Sequence, residues 1–351
     1  MRTETMKTKI RPVRLLAGVS FLVLLHLVAG TPPAHAWGCK GHQTVALIAE
    51  KYLTPEAQQL VGKLLAENPV DPEVKRYCGF SFHDLLADAS TWADDVRGER
   101  KNGPWHYIDI PRGAPRHPLE EYCGAQGCIT KAIAEQLSVL KDAHAETRKR
   151  AEALRYVIHF VGDLHMPLHA TTNNDLGGNC VPLQYFRRRP HEAHDNFSPN
   201  LHGIWDTTIL ERDMEGADPP EFAEHLEQLF GAELEQWQKG GIHIEDWAWE
   251  SHDLAESVAY GELTPKVPVE APASVHSCAD DNRVGERLLQ MHLTAGQAYQ
   301  DAAAMAVEKR LAEAGVRLAM ILNDAAAPAA AGNQGLPGVW VSAAAVPRDL
   351  R

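Results

Sequence analysis

Apolar residues recur at helical intervals along most of this chain. Residues 42–52 (HQTVALIAEKY) show the pattern first. A second helix is predicted to open at Thr54-Pro55, with Thr54 as N-cap and Pro55 in the first helical position. The same periodicity predicts helices over 83–96 and 129–143, then a long helix over 146–165 stopped by Pro167. Further helices are expected at 202–213, 220–233, 245–260 and 283–322. Strict alternation of apolar and polar residues is scarce, and only 181–187 has room for a short hairpin. The pattern implies an all-α fold, a single mainly helical domain with long functional loops.

Three stretches depart from it. Residues 177–200 (GGNCVPLQYFRRRPHEAHDNFSPN) read as a long loop, and Arg187-Arg188-Arg189 within it as a solvated charge run. Residues 325–351, rich in Ala, Gly and Pro, read as a low-complexity C-terminal tail. At the other end a short apolar run, Leu15 to Gly30, follows Lys7, Lys9, Arg11 and Arg14 and precedes Ala34-His35-Ala36. A basic flank, a short apolar run and a small-x-small site describe a signal peptide better than a membrane anchor. The expected organisation is a signal peptide over 1–36, a catalytic domain over 37–324 and the tail over 325–351. Cleavage after Ala36 makes Trp37 the first residue of the mature chain, exported to a periplasm or to the extracellular space, with no membrane anchor left after processing.

Composition narrows the classes of function. The formal charge is −13, and the leader contributes a net +4, which leaves −17 for the rest. So acidic a protein does not hold duplex nucleic acid through a generic basic face; a polyanionic substrate needs local cations, and bound divalent metals would supply them. All six cysteines follow the leader, and an even number in an exported chain reads as disulfides. Cys123 and Cys128 enclose the tight loop Gly-Ala-Gln-Gly; the other four (Cys39, Cys78, Cys180, Cys278) allow three pairings.

Candidate metal ligands stand at helical spacing. His159 and Asp163 form an i, i+4 pair that projects from one helix face, and His169 follows across the turn at Pro167. His202 and Asp206 form a second i, i+4 pair. Upstream, Asp94 lies in Trp-Ala-Asp and His106 in Trp-His-Tyr-Ile-Asp. The free amine and carbonyl of Trp37, with His42 five residues on, complete a plausible chelate. Imidazole and carboxylate ligands without thiolate suit catalytic zinc. Each piece alone has a bland alternative, a capping contact or a packed core histidine; the conjunction is what points to a metal centre.

The motifs WGCKGH (37–42), TWADDVR (91–97), WHYIDI (105–110), HFVGDLHMPLH (159–169), GGN (177–179) and NLHGIWD (200–206) appear together and in order. In these the chain resembles the zinc-dependent single-strand nuclease and 3′-nucleotidase family, the type I nucleases, whose fold resembles the zinc phospholipases C. The likeness implies three zinc ions: one on Asp94, His106, His159 and Asp163; a more exposed one on His169, His202 and Asp206; and a third on Trp37 and His42, with Asp163 bridging it to the first. It implies catalysis by Asp94 and Asp163 through the metals and by Arg97 on the phosphoryl oxygens. Tyr107 and Asp109 match positions that stack on and hydrogen-bond a nucleobase, Asn179 falls in the GGN substrate motif, and Cys123–Cys128 matches a local bridge. The expected activity is hydrolysis of single-stranded DNA and RNA to 5′-phosphate products by a monomer, with nucleotides as further ligands through 3′-nucleotidase activity. The rival is a zinc-dependent phospholipase C, disfavoured by the short Trp37–His42 gap and by Asp206 where that branch tends to carry Glu. Departures from the family pattern are Thr207 after the last ligand and a long 177–200 loop.

Overall fold

The computed structural model describes residues 37–78, 84–193, 196–279 and 283–327; the expected leader and nearly all of the expected tail lie outside them. Its helices are α1 (Gly38–Lys51), α2 (Pro55–Glu67), α3 (Leu85–Ser90), α4 (Trp92–Arg100), α5 (Ile129–Lys141) and α6 (Thr147–Leu164). They continue with α7 (Leu201–Gly203), α8 (Ile209–Asp213), α9 (Pro219–Leu229), α10 (Gly231–Lys239), α11 (Ile244–Leu254), α12 (Val284–Leu289) and α13 (Gln297–Ala326). The fold is mainly α, as the periodicity predicts, and among the described residues no helix is long and apolar enough to cross a membrane.

Local chemistry explains where helices start. Thr54 accepts the Ala57 N–H with its hydroxyl and Pro55 follows at the first helical position, as expected for α2. Asp218 and Glu221 form a reciprocal capping box for α9. The core lies among α1, α6 and α13: α1 packs against α13, α9 and α3, and α6 against α5 and α13. From Ala153 to Leu164 every residue of α6 is buried, polar ones included. A helix buried all round sits inside the domain, and here its polar residues are the ones with chemistry.

An ionic network closes the α11–α13 interface. Arg310, almost fully buried, donates to Glu250 (2.8 Å), to the Trp247 carbonyl (3.1 Å) and to Ser251 (2.8 Å), and pairs with Glu313 (2.5 Å). Arg317 pairs with the same Glu250 at 2.6 Å. His165 completes the network, its Nδ1 donating to the Val161 carbonyl (2.7 Å) and its Nε2 accepting from Arg317 (3.0 Å).

Several expectations need correction. The 283–322 segment is two helices, α12 and α13, separated by a short strand (Thr294–Ala295) that pairs parallel with Gln184–Tyr185. Residues 181–187 therefore hold no hairpin; the antiparallel pair is His191–Ala193 with Asn196–Ser198, inside the segment read as loop. The 83–96 helix divides at Thr91 into α3 and α4, and α10 extends the helical region beyond 220–233. Helix α13 runs to Ala326, two residues into the stretch assigned to the tail. Arg187, Arg188 and Arg189 are exposed, in keeping with a solvated run. The cysteine pairs left open are Cys39–Cys78 and Cys180–Cys278, and Cys123 pairs with Cys128.

Candidate metal centre

Asp163 is the hub of the site. It is fully buried on α6, with Oδ1 3.2 Å from His42 Nε2 and Oδ2 2.9 Å from His106 Nδ1 and 3.2 Å from His159 Nε2. The three imidazoles come from different elements: His42 from α1, His159 from α6 itself, and His106 from a 3₁₀ turn over Gly103–His106. Asp94, on the first turn of α4, adds an oxygen 3.6 Å from both His106 Nδ1 and His159 Nε2. His42 stacks on His159 with ring centroids 4.0 Å apart. That contact needs Gly162, because a Cβ there would meet His42 Nδ1 at 2.8 Å.

A second group lies alongside. His169 follows the turn at Pro167, and His202 and Asp206 stand where α7 continues into a π-helical turn over Ile204–Thr208. His202 Nε2 is 3.3 Å from Asp206 Oδ2, and the His169 and His202 rings stack at 5.1 Å. Trp37, fully buried, packs its indole near Gly162 beside Asp163 and gives its carbonyl to the Gly41 N–H at 3.1 Å.

The donor set fits metal ions. Ligand atoms of His42, Asp94 and His159, of His106, His159 and Asp163, and of His169, His202 and Asp206 converge as three groups. Their separations of 2.9–3.6 Å bracket the edge of a tetrahedron, about 3.3 Å for metal–nitrogen bonds of roughly 2.0–2.1 Å. His42 Nδ1, His106 Nε2 and Asp206 Oδ1 are buried without hydrogen-bond partners. Orphaned polar atoms concentrated at one point are costly unless a cation takes them up.

Backbone carbonyls aim three of the imidazoles. Nδ1–H of His159 donates to Ser90 O (2.7 Å), that of His169 to His106 O (2.6 Å) and that of His202 to Gly177 O (2.7 Å). Each bond fixes the tautomer and turns Nε2 inward, as in metal sites generally.

The electrostatics agree. Burial would depress His159, but Asp163 and Asp94 outweigh it and hold it well above its ordinary value. Burial would raise Asp163, but His159, His106 and His42 hold it well below. His106 and His202 fall to about 4 and His169 to about 3, chiefly through burial. Asp206 is pushed well above the carboxylate range by burial, then by Asp163 and Asp94. Neutral imidazoles are ready ligands, and a crowded acid such as Asp206 needs a cation to stay ionised.

Arg97, half-buried on α4, faces the same space: its charge bears on His169, His202 and Asp206. Tyr107 and Asp109 line a cleft of about 420 Å³, where loss of water, then the Asp175 charge, raises the Asp109 carboxyl to about 6. Asn179 turns its amide back to Leu176 O at 2.8 Å. His165 likewise belongs to the ionic network and not to the ligands.

Sequence reasoning missed Asp175. Fully buried, it accepts the N–H groups of Asn173 (3.2 Å) and Gly178 (3.0 Å) and the Tyr260 hydroxyl (2.9 Å). It thereby shapes the turn that offers Gly177 O to His202. Gly177 has φ +60°, and a Cβ there would meet Leu168 O at 2.6 Å. The one signal in the sequence is its place just before the paired glycines.

Comparison with known proteins supplies the context. The family model for S1/P1 nuclease matches residues 37–327. Nuclease PA3 of a Penicillium species and nuclease P1 of Penicillium citrinum are each similar at 31% identity over 219 residues, 58% of this chain and 72% of theirs. Endonuclease 5 of Arabidopsis thaliana is similar at 29% identity over 335 residues, 87% of this chain and 94% of its own.

Proposed function

From the premise that this chain belongs to the S1/P1 nuclease family, and is therefore an endonuclease acting on nucleic acid, we propose that it is an exported, monomeric zinc enzyme. It cleaves single-stranded DNA and RNA to 5′-phosphate products, with 3′-nucleotidase activity within its reach. The observation that carries this is Asp163 set among His42, His106 and His159 beside the His169–His202–Asp206 group, with buried atoms of His42, His106 and Asp206 left without hydrogen-bond partners.

Asp94, His106, His159 and Asp163 would hold one zinc ion and His169, His202 and Asp206 a second. The amine and carbonyl of Trp37 with His42 would hold the third, Asp163 reaching both buried ions. When bound, zinc supplies Lewis acidity toward phosphoryl oxygens and lowers the pKa of water from 15.7 to roughly 7. The chain's own part is alignment. The carbonyls of Ser90, His106 and Gly177 hold three imidazoles in the ligating tautomer. Asp163 and Asp94, both buried, would balance the cationic charge where such charges act strongly. The Arg97 guanidinium offers donors to the phosphoryl oxygens as negative charge grows on them. Tyr107 gives a nucleobase a stacking face and Asp109 gives it a hydrogen-bond partner, so an unpaired base is preferred without any basic groove.

The domain so proposed follows a cleaved leader over 1–36, because only a free Trp37 amine can ligate. The three disulfides agree with export. A phospholipase C reading has less support, since the family model that matches is a nuclease model.

The test is release of 5′-nucleotides from single-stranded DNA by protein beginning at Trp37, with chelator and zinc add-back. Zinc-dependent release by that protein, lost in a form retaining Ala36, supports both the reaction and the amine ligand. A zinc-loaded protein that releases nothing from DNA or RNA refutes the nuclease reading.

A further inference from the structure

A strap over 265–278 has no helix or strand of its own. It is tied to the 173–174 turn by Asn173 Nδ2 to Pro268 O (2.9 Å), Glu270 N to Asn173 Oδ1 (2.9 Å), Asn174 Nδ2 to Ala271 O (2.6 Å) and Ala273 N to Asn174 Oδ1 (2.8 Å). The Arg112 guanidinium grips Val267 O at 3.2 Å, and Cys278 is bonded to Cys180 at the far end. So fastened, the strap is a fixed wall, and it stands on the same turn whose next residues position His202.

Residues of that wall line two hollows. The cleft of about 420 Å³ has Tyr107 and Asp109 as its floor, the disulfide loop 124–128 as one side and His276 of the strap as the other. A groove of about 530 Å³ is lined by Arg112–Pro115 and Val269–Pro272. Tyr122 lines both. Its ring is held edge-on against Trp249 at 6.2 Å and its hydroxyl donates to Pro115 O at 3.3 Å, so the face it presents is pre-set.

We propose that Tyr122 and His276 form a second nucleoside subsite, which holds the nucleotide next to the one at Tyr107 and Asp109 on a single-stranded substrate. This rests on the nuclease reading above and extends it to residues outside the metal centre.

The occupant is argued from continuity and chemistry. The cleft floor is joined directly to the ligands: Tyr107 follows His106 in the chain, and Ile108 N donates to His169 O at 2.8 Å. Tyr122 and His276 line the same cleft as Tyr107, so a strand with a base on Tyr107 brings its neighbouring nucleotide within their reach. The cations near the groove are already matched, Arg112 to Glu256 (3.1 Å) and Arg116 to Asp253 (2.5 Å). Phosphate attraction is therefore not what it offers. An aromatic face, an imidazole and a rigid wall suit a base and its sugar, and such stacking is indifferent to sequence. Each hollow falls in the size range of small-molecule sites, about 300–1,000 Å³.

The experiment compares zinc-loaded wild type with Tyr122→Leu and His276→Ala on a 3′-mononucleotide and on a single-stranded thymidine octamer. Zinc content and melting temperature serve as folding controls; His276 is on an exposed segment, so its variant keeps the test valid if Tyr122→Leu unfolds. The expected result is a rise in KM for the octamer of roughly tenfold for Tyr122→Leu and about threefold for His276→Ala, with kcat and the mononucleotide constants unchanged. Photocrosslinking of an iodouracil-bearing octamer is expected to mark Tyr122 or His276. Unchanged octamer KM with no crosslink, or equal losses on both substrates, overturns the subsite while leaving the nuclease reading intact. A wild type inactive on both substrates overturns the reading beneath it.

Discussion

His202 Nδ1 donates to the carbonyl of Gly177 across 2.7 Å, and the turn carrying that carbonyl is held by the buried carboxylate of Asp175. Asp175→Asn puts an amide where two N–H groups and a hydroxyl all need an acceptor, so the turn loosens and His202 loses its aim. Partners behind metal-bound histidines are worth roughly 10- to 100-fold in metal affinity. The expected outcome is loss of one zinc equivalent on mild chelation, with the other two retained. Metal analysis after graded chelator treatment checks it; a variant that keeps or loses all its zinc together would disprove the link. Tyr260→Phe, which removes one donor to Asp175, is expected to act in the same direction and less.

Arg97 bears on His169, His202 and Asp206, yet it ligates nothing. A donor that acts on charge developing in the transition state changes kcat and leaves metal binding alone. Arg97→Ala is expected to lower kcat roughly 100- to 1,000-fold. KM and zinc content are expected to stay near wild type. Loss of zinc along with activity would assign Arg97 a structural role.

The candidate ligands were legible in the sequence because helices repeat. His159–Asp163 and His202–Asp206 announce a shared face by their spacing alone, and Thr54-Pro55 announces the start of α2. Contacts between distant segments leave no such mark. Asp175 meets Tyr260 across 85 residues, His276 reaches the cleft on a strap with no regular structure, and Arg310 finds Glu250 from another helix. The break at 290–296 was hidden for the same reason, since Thr294–Ala295 leaves the helical path to pair with Gln184–Tyr185. The hairpin at 191–198 escaped because its strands are three residues long and mostly polar, too short to show alternation.

Away from the metal centre, Glu50 on α1 gives a pH signature. Partial loss of water, then its hydrogen bond to Asp84 and the charge there, pushes its carboxyl from 4.5 to about 7. Asp84 caps α3 by accepting the Ala87 N–H at 2.7 Å, which favours its ionised form and leaves the proton to Glu50. The folded state thus binds this proton more tightly than the unfolded chain. The associated stability is fully present below about pH 4.5 and is lost as pH rises through about 7. Glu50→Gln keeps the hydrogen bond without the charge, so its melting temperature is expected to exceed that of wild type at about pH 8 and the gap to close toward about pH 5. A gap that does not vary with pH would count against the shared proton.

Gly162 makes the sharpest prediction about the proposed metal ions. Helix α1 comes so close to α6 there that a methyl group on residue 162 would sit 2.8 Å from His42 Nδ1, and the indole of Trp37 lies at 3.9 Å. The helix itself tolerates alanine, and prefers it to glycine by about 1 kcal/mol. Gly162→Ala therefore sets a small gain in helix propensity against displacement of the ring that stacks on His159 at 4.0 Å. Displacing His42 takes away the one side-chain ligand proposed for the ion at Trp37, while His106, His159 and Asp94 keep their places around the other. The expected protein is folded, binds two zinc ions instead of three, and has lost most of its phosphodiesterase activity. Zinc stoichiometry together with a far-ultraviolet melting curve decides it. Three retained ions in a stable variant would mean that α1 can withdraw without moving His42, and the close approach would then have no bearing on the metal centre.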